Sequence, residues 1–253
     1  MLKKYTCLIA AVLIMSPTLM AQTLEEVVVT AQIREQSLQD VPISISAISG
    51  EDIADRSVDN LQSLSASVPN FMVVETQIDT SISIRGVRSG ANKGFEQSVP
   101  MNFDGISYPR SQLARTPLVD LERVEVLRGP QPTLFGKNAI GGVVNVTSAK
   151  PTEEFEGKFS TSHESEHGED QSLLVLSGAL SESVLGRLTV STREMDGWIT
   201  NTNMKRLEPQ RDETYIRGQL AWTSGDVDYN LKVETADFDS TGYAMEAIAP
   251  QDG

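Results

Sequence analysis

Hydrophobic and polar positions follow two rhythms along this chain, and the change between them falls near Pro151. Before it, short alternating runs are mixed with helical pieces. Ile43, Ile45 and Ala47 alternate with Ser44, Ser46 and Ile48, which predicts a strand. Gly50-Glu51-Asp52 predicts the start of a short helix, its acidic residues suiting the positive end of the helix dipole. A second helix is expected through Leu61 and Leu64, capped by Ser57 or Asp59 and ended before Pro69. Strands are predicted over Phe71 to Val74, Ser81 to Ile84 and Val99 to Phe103, the last closed by the turn pair Asp104-Gly105. Ser89 to Ser98 reads as a polar loop, and a helical turn is expected from Pro117 through Asp120 and Glu122. Together these elements predict a small α+β domain over residues 41–150.

After Pro151 the rhythm becomes long, regular alternation broken by turn residues. Phe155, Gly157, Phe159 and Thr161 face away from Glu156, Lys158 and Ser160. Leu174, Leu176 and Leu180 oppose Val175, Ser177 and Ala179. Leu188 and Val190 oppose Arg187, Thr189 and Ser191. Ile216, Leu220 and Trp222 oppose Arg217, Gln219 and Ala221, and Tyr229, Leu231 and Val233 oppose Asn230, Lys232 and Glu234. These are five strands, each near the ~9–11 residues of a tilted membrane-spanning strand. Ser181 to Gly186 and Ser224 to Asp228 are short connections, whereas His163 to Asp170 and Asp196 to Asp212 are longer. One apolar and one polar side, with short and long connections in turn, fits an outer-membrane barrel. Trp198 and Trp222 lie near strand ends, where an aromatic girdle is expected. A soluble β-sandwich gives similar alternation.

The two halves meet at Arg123 to Val146, RVEVLRGPQPTLFGKNAIGGVVNV. Val124, Val126 and Leu127 predict a strand, which Arg128-Gly129-Pro130 breaks. Thr133 to Ile140 forms a compact link. Gly141 and Gly142 then allow close backbone packing before Val143, Val144 and Val146 resume a strand.

At the other end, Lys3 and Lys4 precede the apolar run Cys7 to Met15, with Ser16-Pro17 and the small Ala21 after it. This is the layout of a secretory signal peptide over residues 1–21. A membrane anchor fits less well, because a spanning helix needs roughly 20 apolar residues. Residues 22–40 follow as a polar linker around Glu26, Val27, Val28, Val29, Thr30 and Ala31. The β-branched residues there favour an extended chain. Such a segment serves either as an edge strand of the next domain or as a docking strand for another protein's sheet.

Charge and cysteine content narrow the chemistry. The 253 residues carry a net charge of −14 and are 39% hydrophobic. Without Lys3 and Lys4, 19 basic residues face 35 acidic ones, a balance of −16 that argues against nucleic acid, whose phosphates demand Lys and Arg. The one cysteine, Cys7, lies in the leader, so the mature chain has no disulfide, thiolate metal site or thiol nucleophile.

Several segments in order resemble the TonB-dependent outer-membrane receptors: EVVVTA as a TonB box, then VPISISAISGEDI, VPNF, SISIRGV, FDGI and LERVEVLRGP as a plug domain. The family usually has glycine where this chain has Pro132. The resemblance implies an α+β plug followed, over residues 151–253, by the first antiparallel transmembrane strands of an incomplete β-barrel. It implies docking of residues 26–31 to a periplasmic TonB energy-coupling protein, lipid around the wall, and a small ligand, most commonly an iron chelate. It further implies that Arg85 and Arg128 pair with glutamates of the barrel wall through bidentate hydrogen bonds. With no room for a signalling domain between leader and box, the transducer subclass is not expected.

Tyr108, Arg110 and Arg115, on a loop from Ser107 to Thr116, are candidate ligand contacts, or simply polar loop residues. His163, Glu164, Glu166 and His167 read as an acidic extracellular loop; imidazole and carboxylate also coordinate metals, but no metal site or cofactor is expected. No phosphate loop, zinc-ligand spacing or GxSxG is present, so enzyme chemistry is not expected. A non-transporting surface binding or adhesion protein would need the loops but not the EVVVTA segment. Five strands cannot close where such receptors use about 22, and an open edge in hydrocarbon leaves backbone groups unsatisfied. The chain is therefore expected to be an amino-terminal part of a longer receptor.

Overall fold

The computed structural model describes residues 28–29, 36–37, 42–58, 60–75, 80–88, 97–108, 110, 115–166 and 168–242. Residues 1–21, expected to be a signal peptide, most of the 22–40 segment, His167 and most of the Ser89 to Ser98 loop lie outside them. Val28–Val29 (β1) pairs antiparallel with Gln36–Ser37 (β2).

The α+β unit runs β3 (Ser44–Ser49), α1 (Gly50–Asp55), α2 (Leu61–Ser65), β4 (Phe71–Glu75), β5 (Thr80–Ile84), β6 (Val87–Arg88), β7 (Met101–Phe103), β8 (Ile106–Tyr108), β9 (Leu121–Arg128), α3 (Pro132–Phe135) and β10 (Gly142–Ser148). Its main sheet has the order β3-β9-β10-β7-β8; β10 is parallel to β7, and the other pairs are antiparallel. A smaller sheet joins β4, β5 and β6.

Local chemistry sets the element ends. Ser49 caps α1 by accepting from the Asp52 amide at 3.0 Å. The cap of α2 is Asn60 rather than Ser57 or Asp59: its side chain accepts from the Ser63 amide, and Ser63 Oγ accepts in return from the Asn60 amide. This reciprocal capping box satisfies two orphan donors; Asp59 lies outside the described residues. Pro132 opens α3, where its fixed φ suits the first helical position. The expected helical turn after Pro117 is absent; the chain there is irregular, Asp120 takes a φ of +52°, and the residues from Leu121 onward are already strand. Pairing with Ser148 of β10 draws Leu121 into the ladder across a register shift at Glu122.

Aliphatic side chains hold the unit together. Ile53, Leu61, Leu64, Phe71, Ile82, Ile84 and Phe103 pack with Val124, Val126, Val144 and Val146 on one face of the main sheet. Leu127, Ala139 and Val143 form a smaller cluster with Ile45 and Phe135. Between these, Asn102 donates to Asn145 at 2.9 Å, and Asn145 donates to the fully buried Glu125, which also takes Arg123 Nε at 2.9 Å. Pairing partners in β7, β10 and β9 place this polar ladder, so each buried group is satisfied.

The second unit is one antiparallel sheet in the order β11-β12-β13-β16-β17. Its strands are β11 (Glu156–Glu164), β12 (Glu169–Ser181), β13 (Val184–Met195), β16 (Gln210–Ser224) and β17 (Val227–Thr241). Between β13 and β16 lies a hairpin of β14 (Ile199–Asn201) and β15 (Arg206–Glu208), within the stretch expected to be a plain long loop. The alternation predicted two faces, and the sheet has them. Thr189 and Arg217 point inward and are fully buried, while Phe155, Leu180 and Val233 point outward at 79%, 68% and 65% exposure. Trp222 and Tyr229, paired in register beside the Gly225 turn, stack with ring centroids 5.2 Å apart. The sheet is not closed: β11 and β17 are its two ends.

Gly142 is the tightest point between β9 and β10. Its φ is +149°, and a Cβ there would stand 2.2 Å from the Leu127 carbonyl oxygen. Gly142→Ala is expected to destabilise the α+β unit by about 1–3 kcal/mol, the usual range for forced overpacking. Urea unfolding followed by Leu127-face protection from hydrogen exchange would measure it.

Candidate functional site

The functional geometry lies in the seam where the α+β unit meets the inward face of the sheet. Asp120 is its centre. The irregular chain before β9 turns this carboxylate out of the unit and against β13 and β16. Arg187 donates to both oxygens, from Nε at 2.9 Å and from Nη2 at 2.5 Å, and Thr189 Oγ1 donates to Oδ2. Arg217 Nη2 donates to the Asp120 backbone oxygen at 2.6 Å and to Oδ2 at 3.2 Å. The side chains of Arg187, Arg217 and Asp120 are 9%, 0% and 6% exposed, so this is a desolvated cluster. Alternation along β13 and β16 puts Arg187, Thr189, Arg217 and Gln219 on one face, and Thr189 is the register partner of Arg217.

A second contact forms at the β7–β8 turn. Asp104 accepts Lys232 Nζ at 2.7 Å and holds the Ser148 amide at 2.8 Å. Lys232 also stands 4.5 Å from the Phe103 ring centre, a cation–π contact. Glu234 joins the two units, taking Tyr108 Oη at 2.9 Å and Tyr215 Oη at 3.0 Å, while Arg217 Nη1 donates to Tyr215 Oη. Gln219 donates to Ser148 Oγ at 3.2 Å.

The electrostatics follow from this geometry. Burial pushes the Asp120 carboxyl up, but the hydrogen bonds from Arg187 and Thr189 and the charges of Arg187 and Arg217 outweigh it and hold the group below its ordinary value. Asp104 behaves alike, burial being outweighed by Lys232 and by the amide and hydroxyl of Ser148. Burial and the bond to Glu234 push the Tyr108 hydroxyl up to about 12.

The residues singled out from sequence fall in different places. Gly129, Pro130 and Gly141 form the turn at the far end of β9 and β10, where the Gly129 amide donates to the Gly141 oxygen at 3.0 Å. Arg85 Nη1 reaches this turn, 3.8 Å from where a Gly129 Cβ would stand, and Arg128 Nη2 donates to the Ile45 oxygen at 3.5 Å. The buried Arg128 Nε has no partner among the described residues. Tyr108 is committed to the seam through Glu234. Arg110 is exposed, and Arg115 is half-buried. Of the residues expected to dock, only Val28 and Val29 are described; Glu26, Val27, Thr30 and Ala31 lie outside. His163 Nδ1 is 2.8 Å from Asp170 Oδ1 on the surface, and among the described residues no His, Cys, Asp and Glu group could hold a metal.

Sequence reasoning missed Asp120, Arg187, Arg217, Lys232 and Glu234. Their signal was present as charged residues on the inward positions of alternating strands. Their partners, 67 to 128 residues away, were not legible.

A small α+β unit held by buried charges on the inward face of an antiparallel sheet defines a plug-and-wall protein. Residues 37–143 match the TonB-dependent receptor plug domain. Over 185 residues the chain is 36% identical to the iron-regulated outer membrane virulence protein of Vibrio cholerae, covering 66% of this chain and 28% of that protein. It is 29% identical over 162 residues to the pesticin receptor of Yersinia enterocolitica, covering 63% and 24%. In fold it is similar to the ferric yersiniabactin uptake receptor of Yersinia pestis, with a TM-score of 0.69 and 24% identity over 77% of this chain and 31% of that one. The pyoverdine receptor of Pseudomonas aeruginosa has a TM-score of 0.71 at 20% identity over 85% and 31%. The chain belongs to the TonB-dependent receptor family. It spans 24–28% of the length of these curated relatives, which are receptors rather than enzymes.

Two outcomes test the seam. Asp120→Ala strands two buried guanidinium groups and is expected to destabilise plug docking by about 3–5 kcal/mol, the usual range for breaking a buried pair. Limited proteolysis of the plug in urea would read this, with Asp52→Ala on the exposed face of α1 as control. Lowered carboxyl pKa values stabilise docking above the unfolded Asp value of about 3.9. That contribution is lost as pH falls through the lowered values of Asp104 and Asp120. Protease access to the plug should stay flat from pH 7 to about pH 4 and rise only below it.

Proposed function

We propose that this chain supplies the plug and first wall strands of an outer-membrane receptor that takes up a ferric siderophore, energised through the periplasmic TonB protein. The observation that carries the reading is the buried Asp120–Arg187–Arg217 seam, which seats the plug on the polar inward face while an apolar face looks outward. A closed barrel of this wall would form the pore and the plug would block it. The iron-regulated relative supports iron as the cargo class.

In this reading residues 1–21 are the cleaved leader, and residues 26–31 form the strand that TonB captures by main-chain pairing. Ligand binding outside releases that strand, and pulling on it remodels the plug. Arg85 and Arg128, one reaching the Gly129 turn and the other preceding it, take carboxylates from wall opposite the described strands, and the unpartnered Arg128 Nε supports this role. Arg110 and Arg115 are the plug residues proposed to approach ligand; Tyr108 serves the seam instead.

Deleting Glu26 to Ala31 in the protein that carries this chain should leave binding of iron chelate to whole cells intact and abolish its energy-dependent uptake. Uptake that survives the deletion would refute TonB coupling and favour a non-transporting binding protein.

A further inference from the structure

The outward face of the sheet carries a groove of about 520 Å³, within the roughly 300–1,000 Å³ of ligand-sized sites. Glycines make it. Gly178 and Gly186 are register partners in β12 and β13, and Gly218 of β16 sits opposite Leu188 and Val233. A Cβ on Gly178 would stand 3.2 Å from the Phe155 Cα, and one on Gly186 would meet Leu180 at 2.7 Å. Above Gly218 a Cβ would meet nothing within 4 Å, so this position is open floor. Phe155 walls one end, and Leu231 and Val233 the other.

The groove opens toward the end of the sheet where the plug chain enters. The stacked Trp222–Tyr229 pair lies at that end, as aromatic residues do at a membrane interface. The three segments that frame this end, residues 151–156, 181–186 and 223–228, bring Glu153, Glu154, Glu182 and Asp226 to the rim and no Lys or Arg; Glu156 is paired with Arg187 at 3.7 Å, and Lys150, just before them, lies 4.0 Å from Glu122. Arg187, the nearest cation in β13, is turned inward onto Asp120. A rim of this charge repels an anionic headgroup and attracts an ammonium group.

We infer that this groove binds one acyl chain of a zwitterionic aminophospholipid, whose ammonium group meets the acidic turns beside Trp222 and Tyr229. The inference rests on the sheet being the wall of an outer-membrane barrel. Apolar walls take the chain, and the missing glycine side chains give it depth that a flat aliphatic face lacks. The acidic rim selects the headgroup.

The test uses the protein carrying this chain, reconstituted in vesicles of equal phosphatidylethanolamine and phosphatidylglycerol, extracted in mild detergent and weighed by native mass spectrometry. The expected result is retained phosphatidylethanolamine, several-fold over phosphatidylglycerol. Gly218→Leu fills the open floor and should remove the retained lipid while leaving heat-resistant folded migration on gels unchanged. Should Gly218→Leu misfold, the surface variant Glu182→Gln/Asp226→Asn provides the second reading, retaining lipid without headgroup preference. Equal retention of the two lipids by the unmodified protein, or undiminished retention in folded Gly218→Leu, would overturn the inference. A protein absent from the outer-membrane fraction would instead overturn the barrel reading on which it rests.

Discussion

One desolvated carboxylate, Asp120, holds the two halves of this chain in register. It sits at the entry to β9, the strand on which the main plug sheet is built, and takes donors from two neighbouring wall strands. Arg187 and Arg217 carry like charge on adjacent strands of one face, an arrangement that is unfavourable without a counter-ion between them. Asp120 is that counter-ion. The wall therefore needs the plug residue as much as the plug needs the wall, and removing either side leaves charge buried and unpaired.

The remaining seam has the same polar character. Asp104, Ser148, Gln219, Lys232, Tyr108 and Glu234 meet through hydrogen bonds and one cation–π contact rather than through an aliphatic interface. The plug keeps its hydrophobic core to itself, packed between α1, α2, β4, β5 and the main sheet. Under the proposed function, a plug held firmly yet moved reversibly suits such a division. Directional bonds in a polar lumen set one seated position, and breaking them exposes groups that water can solvate. An apolar interface of similar size would expose hydrocarbon on movement and resist it.

Much of this architecture is legible in the sequence, for identifiable physical reasons. Strict alternation at Arg187, Thr189, Arg217 and Gln219 fixes the wall's inward face, because the side-chain period of a strand is two. The Gly142 close approach follows from the glycine pair after a broken strand. What could not be read depends on distant partners or on unusual backbone. Pro117 suggested a helical turn, whereas Asp120 adopts a left-handed conformation that aims its carboxylate at the wall. Asn60 displaced Ser57 and Asp59 as a cap because Ser63 completes a reciprocal pair. The β14–β15 hairpin escaped notice because its two strands are only three residues each. The bond from the Tyr108 hydroxyl to Glu234, 126 residues later, was likewise not legible.

The central claim, that the plug is seated on the inward face of an outer-membrane wall, is tested most directly by cross-linking in cells. The Gln219 side chain reaches Ser148 Oγ across the seam at 3.2 Å, and the one cysteine of this chain is Cys7. Ser148→Cys/Gln219→Cys should be joined by a short bifunctional thiol reagent, which bridges the length lost with the Gln219 side chain, seen in the outer-membrane fraction as a shift in gel migration that either single variant lacks. Double-variant protein that reaches that fraction and stays unlinked after the reagent would contradict the account.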